Sequence, residues 1–415
     1  MRPSLRQGTC AAVISTLAIL FSAIPRAQAQ DMGADRFTFR GFGSVGATTH
    51  DTDGIEYRRN TGQGSGARSG EVDFATDSLL GLQVDARLSS KLDVVVQGVT
   101  RQRADDSWRP RFSQAYLRFS PGDSLVLRAG RIGYDIYLLA ESRQVGYSYL
   151  PVRPSPEFYG QITNDDIDGL DVAWTRRIGR GLVKARVFGG DGSGELAFAD
   201  RSTSDTIGQV YGGTFDYIFR GWTARVALVQ FNYDAGADIP LLAGALRATG
   251  FPSAAAVAED LDHRSYRSDG VQVGVAYDDG PMLAQVMYGA VDSDSIAGPD
   301  FDKLYALCGY RLGKWTPFAS FASSNDRSEI HDAGLPPIPQ LAPLNGAVVQ
   351  IQQATRSTQH TGSLGLRYDL NPHIDFKFQV DRTHVRDSSL LFDYRPDAGT
   401  PFDMTVITAA VDFVF

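Results

Sequence analysis

From Phe37 onward the chain repeats one pattern, segments of about nine to fourteen residues in which apolar and polar side chains alternate. In LLGLQVDARL, Leu80, Leu82, Val84, Ala86 and Leu88 fall on one face and Gln83, Asp85 and Arg87 on the other. GLDVAWTRR sets Leu170, Val172 and Trp174 against Asp171, Thr175 and Arg177, and IDFKFQVD sets Ile374, Phe376, Phe378 and Val380 against Asp375, Lys377, Gln379 and Asp381. A period of two is the period of a strand. Such segments predict about sixteen strands, over 37–47, 76–88, 91–101, 111–120, 123–132, 167–178, 181–190, 206–219, 222–233, 267–277, 282–292, 301–312, 315–325, 356–369, 373–386 and 402–415.

The connections choose between all-β architectures. Short turns at Ser89-Ser90, Pro121-Gly122, Gly179-Arg180, Arg220-Gly221, Asp279 to Pro281, Gly313-Lys314 and Leu370 to Pro372 alternate with long polar loops after Ala47, Arg101, Ile132, Gly190, Tyr233, Asp292, Asn325 and Arg386. A soluble sandwich has no reason to sort its loops by length, whereas a transmembrane antiparallel up-and-down β-barrel places tight turns at its periplasmic end and long loops outside. Tyr217, Phe219 and Trp222 bracket one short turn and Tyr310 and Trp315 another, where amphipathic rings suit a headgroup layer. In lipid every backbone amide needs an internal partner, so the first strand must pair with the last. That gives the final segment MTVITAAVDFVF its role as the closing strand, with Phe415, Phe413, Val411, Ala409 and Ile407 facing lipid and Asp412, Ala410, Thr408 and Val406 facing an aqueous lumen.

Composition agrees: 43 Gly, 17 Tyr and 23 Phe beside only 5 Met make a strand-and-turn chain. Residues 1–29 form a separate segment, with basic Arg2 and Arg6, an apolar run from Ala11 to Ile24 and a small-x-small exit at Ala27-Gln28-Ala29. They read as a cleaved Sec-type signal peptide ahead of a barrel over 30–415, and the run is too short for a membrane-spanning helix. The formal net charge of −8 becomes three units more negative without that leader, which disfavours nucleic-acid binding. Cys308 alone then remains, excluding an intramolecular disulfide framework.

The leader, the strand number, the terminal Phe415 and a long loop after the fifth strand resemble the Gram-negative general porins, across the whole mature chain. Loop 133–166 occupies the place of that family's third loop, and its stretch GYSYLPVRPSPEFYG, Gly146 to Gly160, is similar to a proteobacterial porin branch. The resemblance implies a third loop folded into the pore as a constriction, a homotrimer in outer-membrane lipid and lipopolysaccharide, and recognition of Phe413 and Phe415 by the outer-membrane assembly machinery. It also implies passive diffusion of small hydrophilic solutes and ions, without cofactor, metal or catalysis. The loop's own composition fits a constriction, because Pro151, Pro154 and Pro156 stiffen it and Tyr134, Tyr137, Tyr147, Tyr149, Phe158 and Tyr159 give it mass with which to pack.

Strand parity points Arg40, Arg87, Arg101, Arg118 and Arg128 inward on the first five strands, resembling the basic ladder that general porins set opposite an acidic loop. The facing candidates on the loop are Asp135, Glu141, Glu157, Asp165 and Asp166, interspersed with Arg143 and Arg153 and preceded by Arg131. Opposed charges across a narrow gap would orient dipolar solutes and bias ion selectivity, whose sign the charge balance leaves open. GFGSVG, Gly41 to Gly46, matches a dinucleotide-binding spacing but precedes a polar loop instead of a helix, and glycines in a barrel strand suit close packing. The six histidines show no metal-ligand spacing or nucleophile partner. A substrate-specific channel is the alternative within transport, and a barrel hydrolase or adhesin the alternative outside it.

Overall fold

A computed structural model of the protein describes residues 36–138, 140–162, 166–234, 238–261 and 265–415, so the leader lies outside the described residues. Sixteen antiparallel strands close into one barrel. In chain order they are β1 (Phe37–His50), β2 (Leu79–Arg87), β3 (Leu92–Arg101), β4 (Arg111–Gly122), β5 (Leu125–Ile132), β6 (Ile167–Ile178), β7 (Gly181–Ala197) and β8 (Thr203–Phe219). There follow β9 (Trp222–Asp234), β10 (Ser265–Asp279), β11 (Met282–Ser293), β12 (Phe301–Tyr310), β13 (Trp315–Asp326), β14 (Ser357–Asn371), β15 (Ile374–Ser388) and β16 (Phe402–Val414). Each strand pairs with its sequence neighbours, and β1 closes the ring on β16 through Phe42↔Val414 to His50↔Val406.

The tight connections are at the expected end. Arg220 and Gly221 both take positive φ, 45° and 77°, as a two-residue hairpin of type I′ requires. Ring pairs sit at this end too, Trp222 with Tyr277 at 4.7 Å and Trp315 with Tyr368 at 4.4 Å. Outward residues such as Phe39, Leu170, Val187, Leu228 and Leu364 are exposed, as a lipid-facing wall demands. No described helix is long and apolar enough to cross a membrane.

The long-loop end departs from the sequence reading. The loop expected after Gly190 is instead a projecting hairpin, because β7 and β8 continue in register from Gly190↔Val210 out to Ala197↔Thr203. The loop 133–166 contains one α-helical turn, α1 (Pro156–Tyr159), and two 3-10 turns, Ala140–Ser142 and Gly146–Ser148. Helices α2 (Asp238–Ala248), α3 (Pro252–Leu261) and α4 (Ala342–Gln353) occupy loops read only as polar. They bury Ala243, Leu246, Ala254, Ala258, Leu261 and Val348 against one another as a cap. Three short strands, Leu391–Asp393, Ile55–Tyr57 and Ala67–Arg68, form a separate sheet at the same end. Arg58, 1% exposed, ties it to its neighbours by donating to the carbonyls of Thr61, Gln63, Ala197 and Ser389 while lying 3.6 Å over the Phe392 ring.

The interior also differs from a uniformly aqueous lumen. Tyr134, Ile136, Tyr137, Leu138, Phe158 and Tyr159 of the loop after β5 pack on inward Phe188, Val210, Ala227, Phe231, Met287, Tyr305 and Ala322 of β7 to β13. Each large apolar side chain removed from water contributes about 1.5–3 kcal/mol. The largest apolar core therefore sits inside the barrel and fixes the loop there.

Closure depends on the glycines of GFGSVG. Gly43 is the register partner of Phe413, and Gly41 exchanges backbone hydrogen bonds with Phe415 at 2.8 and 2.9 Å. A Cβ on Gly41 or Gly43 would run into the Phe415 or Phe413 ring. Gly41→Leu is expected to destabilise the seam by about 1–3 kcal/mol and lower the yield of folded barrel, scored by heat-modifiable gel mobility. Gly362→Ala, which has open space, is the unaffected control.

Candidate functional site

The loop 133–166 is held at both walls of the barrel by charge as well as by packing. Near its start, Asp135 accepts from Arg225 at 2.6 and 3.0 Å, and Arg225 also binds Asp216 and the Tyr137 carbonyl. Glu141 lies 2.9 Å from Arg128 and 2.7 Å from Arg186, and Arg128 is bound to Asp171. Alternate inward positions of β5 to β9 thus supply Arg128, Asp171, Arg186, Asp216 and Arg225 as one lattice that receives the loop's two acids.

The loop then crosses the lumen. Lys377 donates to the Gly146 carbonyl at 2.7 Å, Arg367 to the carbonyls of Tyr147 and Tyr149, and the Val152 amide donates to Gln379. Arg153, 4% exposed, binds Asp77 at 2.7 and 2.8 Å, Asp381 at 3.2 Å, the Tyr57 hydroxyl at 2.7 Å and Thr408. Beyond it Ser155 caps α1, and Glu157 accepts from Ser155, Gln359 and Thr361. The described end of the loop is Asp166, 2.9 Å from Arg111 and 3.5 Å from Arg131.

The inward arginines divide into groups. Arg40 pairs with Asp85, and Arg87 and Arg118 both approach Asp93, so these three meet wall carboxylates near the short-turn end and not the loop. Arg128 meets the loop acid Glu141 directly. Arg101 and Arg143 line a recess between the loop and the wall. Asp165 lies outside the described residues. Arg131 pairs with Asp168 at the rim.

That recess is made of two cavities. Its inner cavity, about 60 Å³, is lined by Arg59, Arg101, Arg143 and Arg153 with Asp77 as the acid. Its outer cavity, about 290 Å³, is lined by Arg101, Arg103, Arg109 and Arg111 with Asp166 and Glu195. Asn60, Arg101, Gln144 and Ile162 line both, so the two form one recess beside β3. Cations outnumber the described acids throughout it. Burial pushes the Asp166 carboxyl up to about 6 against the pull of Arg111 and Arg131. Burial and the Arg101 charge push Arg59 down to about 9, still protonated at neutral pH. Burial raises Asp135 despite Arg225, while at Glu141 the same burial is outweighed by Arg186 and Arg128, which hold that carboxyl low.

Sequence reasoning missed the wall partners Asp77, Asp171, Arg186, Asp216, Arg225, Lys377 and Asp381. Their signal was present, since Asp171, Lys377 and Asp381 sit on the polar parity of their strands or beside it; what was missing was the crossing path of the loop that unites them. Among the described residues no group of three or more His, Cys, Asp or Glu is arranged to hold a metal ion.

No protein-family model matches the chain, and no curated protein matches it. Solved structures do. The anion-selective porin from Comamonas acidovorans aligns with a TM-score of 0.52 at 14% identity, over 91% of this chain and 100% of that one. The outer membrane channel DcaP of Acinetobacter baumannii gives 0.51 at 12%, over 91% and 97%. The trimer form of OmpT, an outer membrane protein of Vibrio cholerae, gives 0.50 at 10%, over 91% and 99%. The fold is that of the outer-membrane porins. At these identities the likeness is one of architecture.

Arg153 is the most connected anchor of the loop. Arg153→Met leaves Asp77 and Asp381 buried without their counter-ion, and the expected loss is about 3–5 kcal/mol in denaturant unfolding of the micelle-solubilised barrel.

Proposed function

We propose that the chain is exported by its leader to the Gram-negative outer membrane and forms a channel there, as a homotrimer, for passive movement of small hydrophilic solutes and ions. The observation that carries this reading is the recess of two adjoining, mostly arginine-lined cavities beside the loop 133–166, in a barrel whose outer face is apolar. No bond is made or broken. The loop narrows the aqueous path, and the charges along it set which solutes enter.

One observation favours the substrate-specific alternative over a general sieve. The loop is anchored on both walls, and the path it leaves is narrow and arginine-lined. Guanidinium groups bind carboxylate and phosphate oxygens with matched geometry. The proposed selectivity is for anions, set by the local field of the passage against the protein's net negative charge.

Planar-bilayer conductance of the purified protein tests this. In a salt gradient the reversal potential is expected to have the sign of anion preference, and small carboxylates are expected to reduce the chloride current saturably. Cation preference without saturable block would refute the selective reading, and absence of ohmic openings the channel itself. Because the Asp166 carboxyl loses its charge below a pKa of about 6, the anion-to-cation permeability ratio is expected to rise between pH 7 and pH 5. Asp166→Asn is expected to abolish that step.

A further inference from the structure

A second recess lies at the long-loop end, where the projecting β7–β8 hairpin, the last turn of α4 and the small three-stranded sheet come together. Its outer cavity, about 550 Å³, is lined by Phe198 of the hairpin, Gln350 and Gln353 of α4, and Phe392 and Phe402. Its inner cavity, about 80 Å³, is lined by five aromatic rings, those of Tyr137, Phe231, Tyr233, Tyr266 and Phe301. Thr61, Leu196, Ala354 and Ser389 line both, so the two adjoin. Ile162 of the loop 133–166 lines the inner cavity and also both cavities of the arginine recess, so an occupant would bear on the wall that the two recesses share.

The inner cavity differs in kind from the arginine recess. None of its described lining residues is charged. Tyr233 of β9 is the register partner of Tyr266 of β10, and the two rings stack at 5.2 Å. Phe231 stacks on Tyr233 at 5.7 Å with 12° between the planes, which extends the pair into one aromatic wall. Planar rings pack well on such a wall. Two polar atoms of the lining residues are buried without a hydrogen-bond partner among the described residues, Gln161 Oε1 and Ser389 Oγ. Gln161 Nε2 donates to the Thr355 carbonyl at 2.6 Å, which fixes the amide and leaves its oxygen as the unused end. That oxygen can only accept, whereas the serine hydroxyl can accept or donate. An apolar cavity with a few polar groups is the usual form of a small-molecule site. An ionised group would be buried here without a counter-charge, at high cost.

We propose that this second recess binds a small uncharged aromatic molecule carrying a hydroxyl or amino hydrogen, taken up from the long-loop end. The ring packs among the five aromatic side chains, and the hydrogen is donated to Gln161 Oε1. The Ser389 hydroxyl meets a second polar substituent where one is present. The site is distinct from the arginine recess, which is built for anions.

The probe is 4-bromophenol, uncharged at neutral pH. Crystals of the full barrel soaked in it and measured at the bromine edge are expected to show an anomalous peak inside the inner cavity. The anionic 4-bromobenzoate, at the same concentration, is expected to leave that cavity empty. Ala354→Trp, which obstructs the neck between the two cavities, is expected to lose the peak. Gln161→Leu keeps the cavity but removes the acceptor, and is expected to weaken binding about fivefold, read from occupancy against soak concentration. A cavity without bromine in the wild type, equal occupancy by 4-bromobenzoate, or a peak unchanged in both variants would each overturn the proposal. The readout needs no conductance, so its failure is distinct from failure of the channel reading.

Discussion

Everything in this molecule depends on the seam between β1 and β16. A sheet in lipid cannot leave a row of amides open, so sixteen strands have meaning only if the first and last find each other. The register from Phe42↔Val414 to His50↔Val406 does this, and Gly41 and Gly43 of β1 make room for Phe415 and Phe413 at the end of β16. Small residue facing large aromatic across a strand pair fills the outer surface without a gap and fixes the register by shape. A slip by one residue would set Phe413 against a side chain and turn Asp412, paired with Lys377 inside, toward lipid.

Closure creates a lumen too wide for wall side chains to fill, and the loop after β5 fills part of it. Its aromatic half rests on apolar inward positions of β7 to β13, and its charged residues are neutralised on two separate walls. Buried ion pairs are weak sources of stability, but each costs several kcal/mol to break, so they determine position more than they add strength. The consequence is a divided interior. One side is packed; the other holds the recess beside β3, where the arginines outnumber the acids Asp77, Asp166 and Glu195 with which Arg153, Arg111 and Arg103 pair.

The barrel was legible from the chain because a period of two and alternating loop lengths are local properties. β6 has the limits that the alternation of GLDVAWTRR predicts, and the inward parity of Arg101 and Arg128 follows from their strands. The partners were not legible. Arg153 meets Asp77 and Asp381 from opposite ends of the sequence, and nothing in Pro-Val-Arg-Pro announces that. Arg40, Arg87 and Arg118 look like members of one ladder with Arg101, yet Asp85 and Asp93 on the adjoining strands take them first. The capping helices went unread for another reason: PSAAAVAEDL and APLNGAVVQIQQ carry helical spacing and proline starts, but each is short and sits inside a segment that reads as loop on average.

In the proposed channel the loop divides the lumen, and the conducting path runs through the recess beside β3. Cysteine modification during single-channel recording tests it, in a Cys308→Ser background. Ser113 lines the outer cavity of the passage, whereas Ser363 faces inward on β14, the wall to which the loop is anchored. With Ser113→Cys a negatively charged thiosulfonate reagent is expected to reduce the current in one irreversible step per barrel, and with Ser363→Cys to leave it unchanged. Block at position 363 without block at 113 would contradict the account.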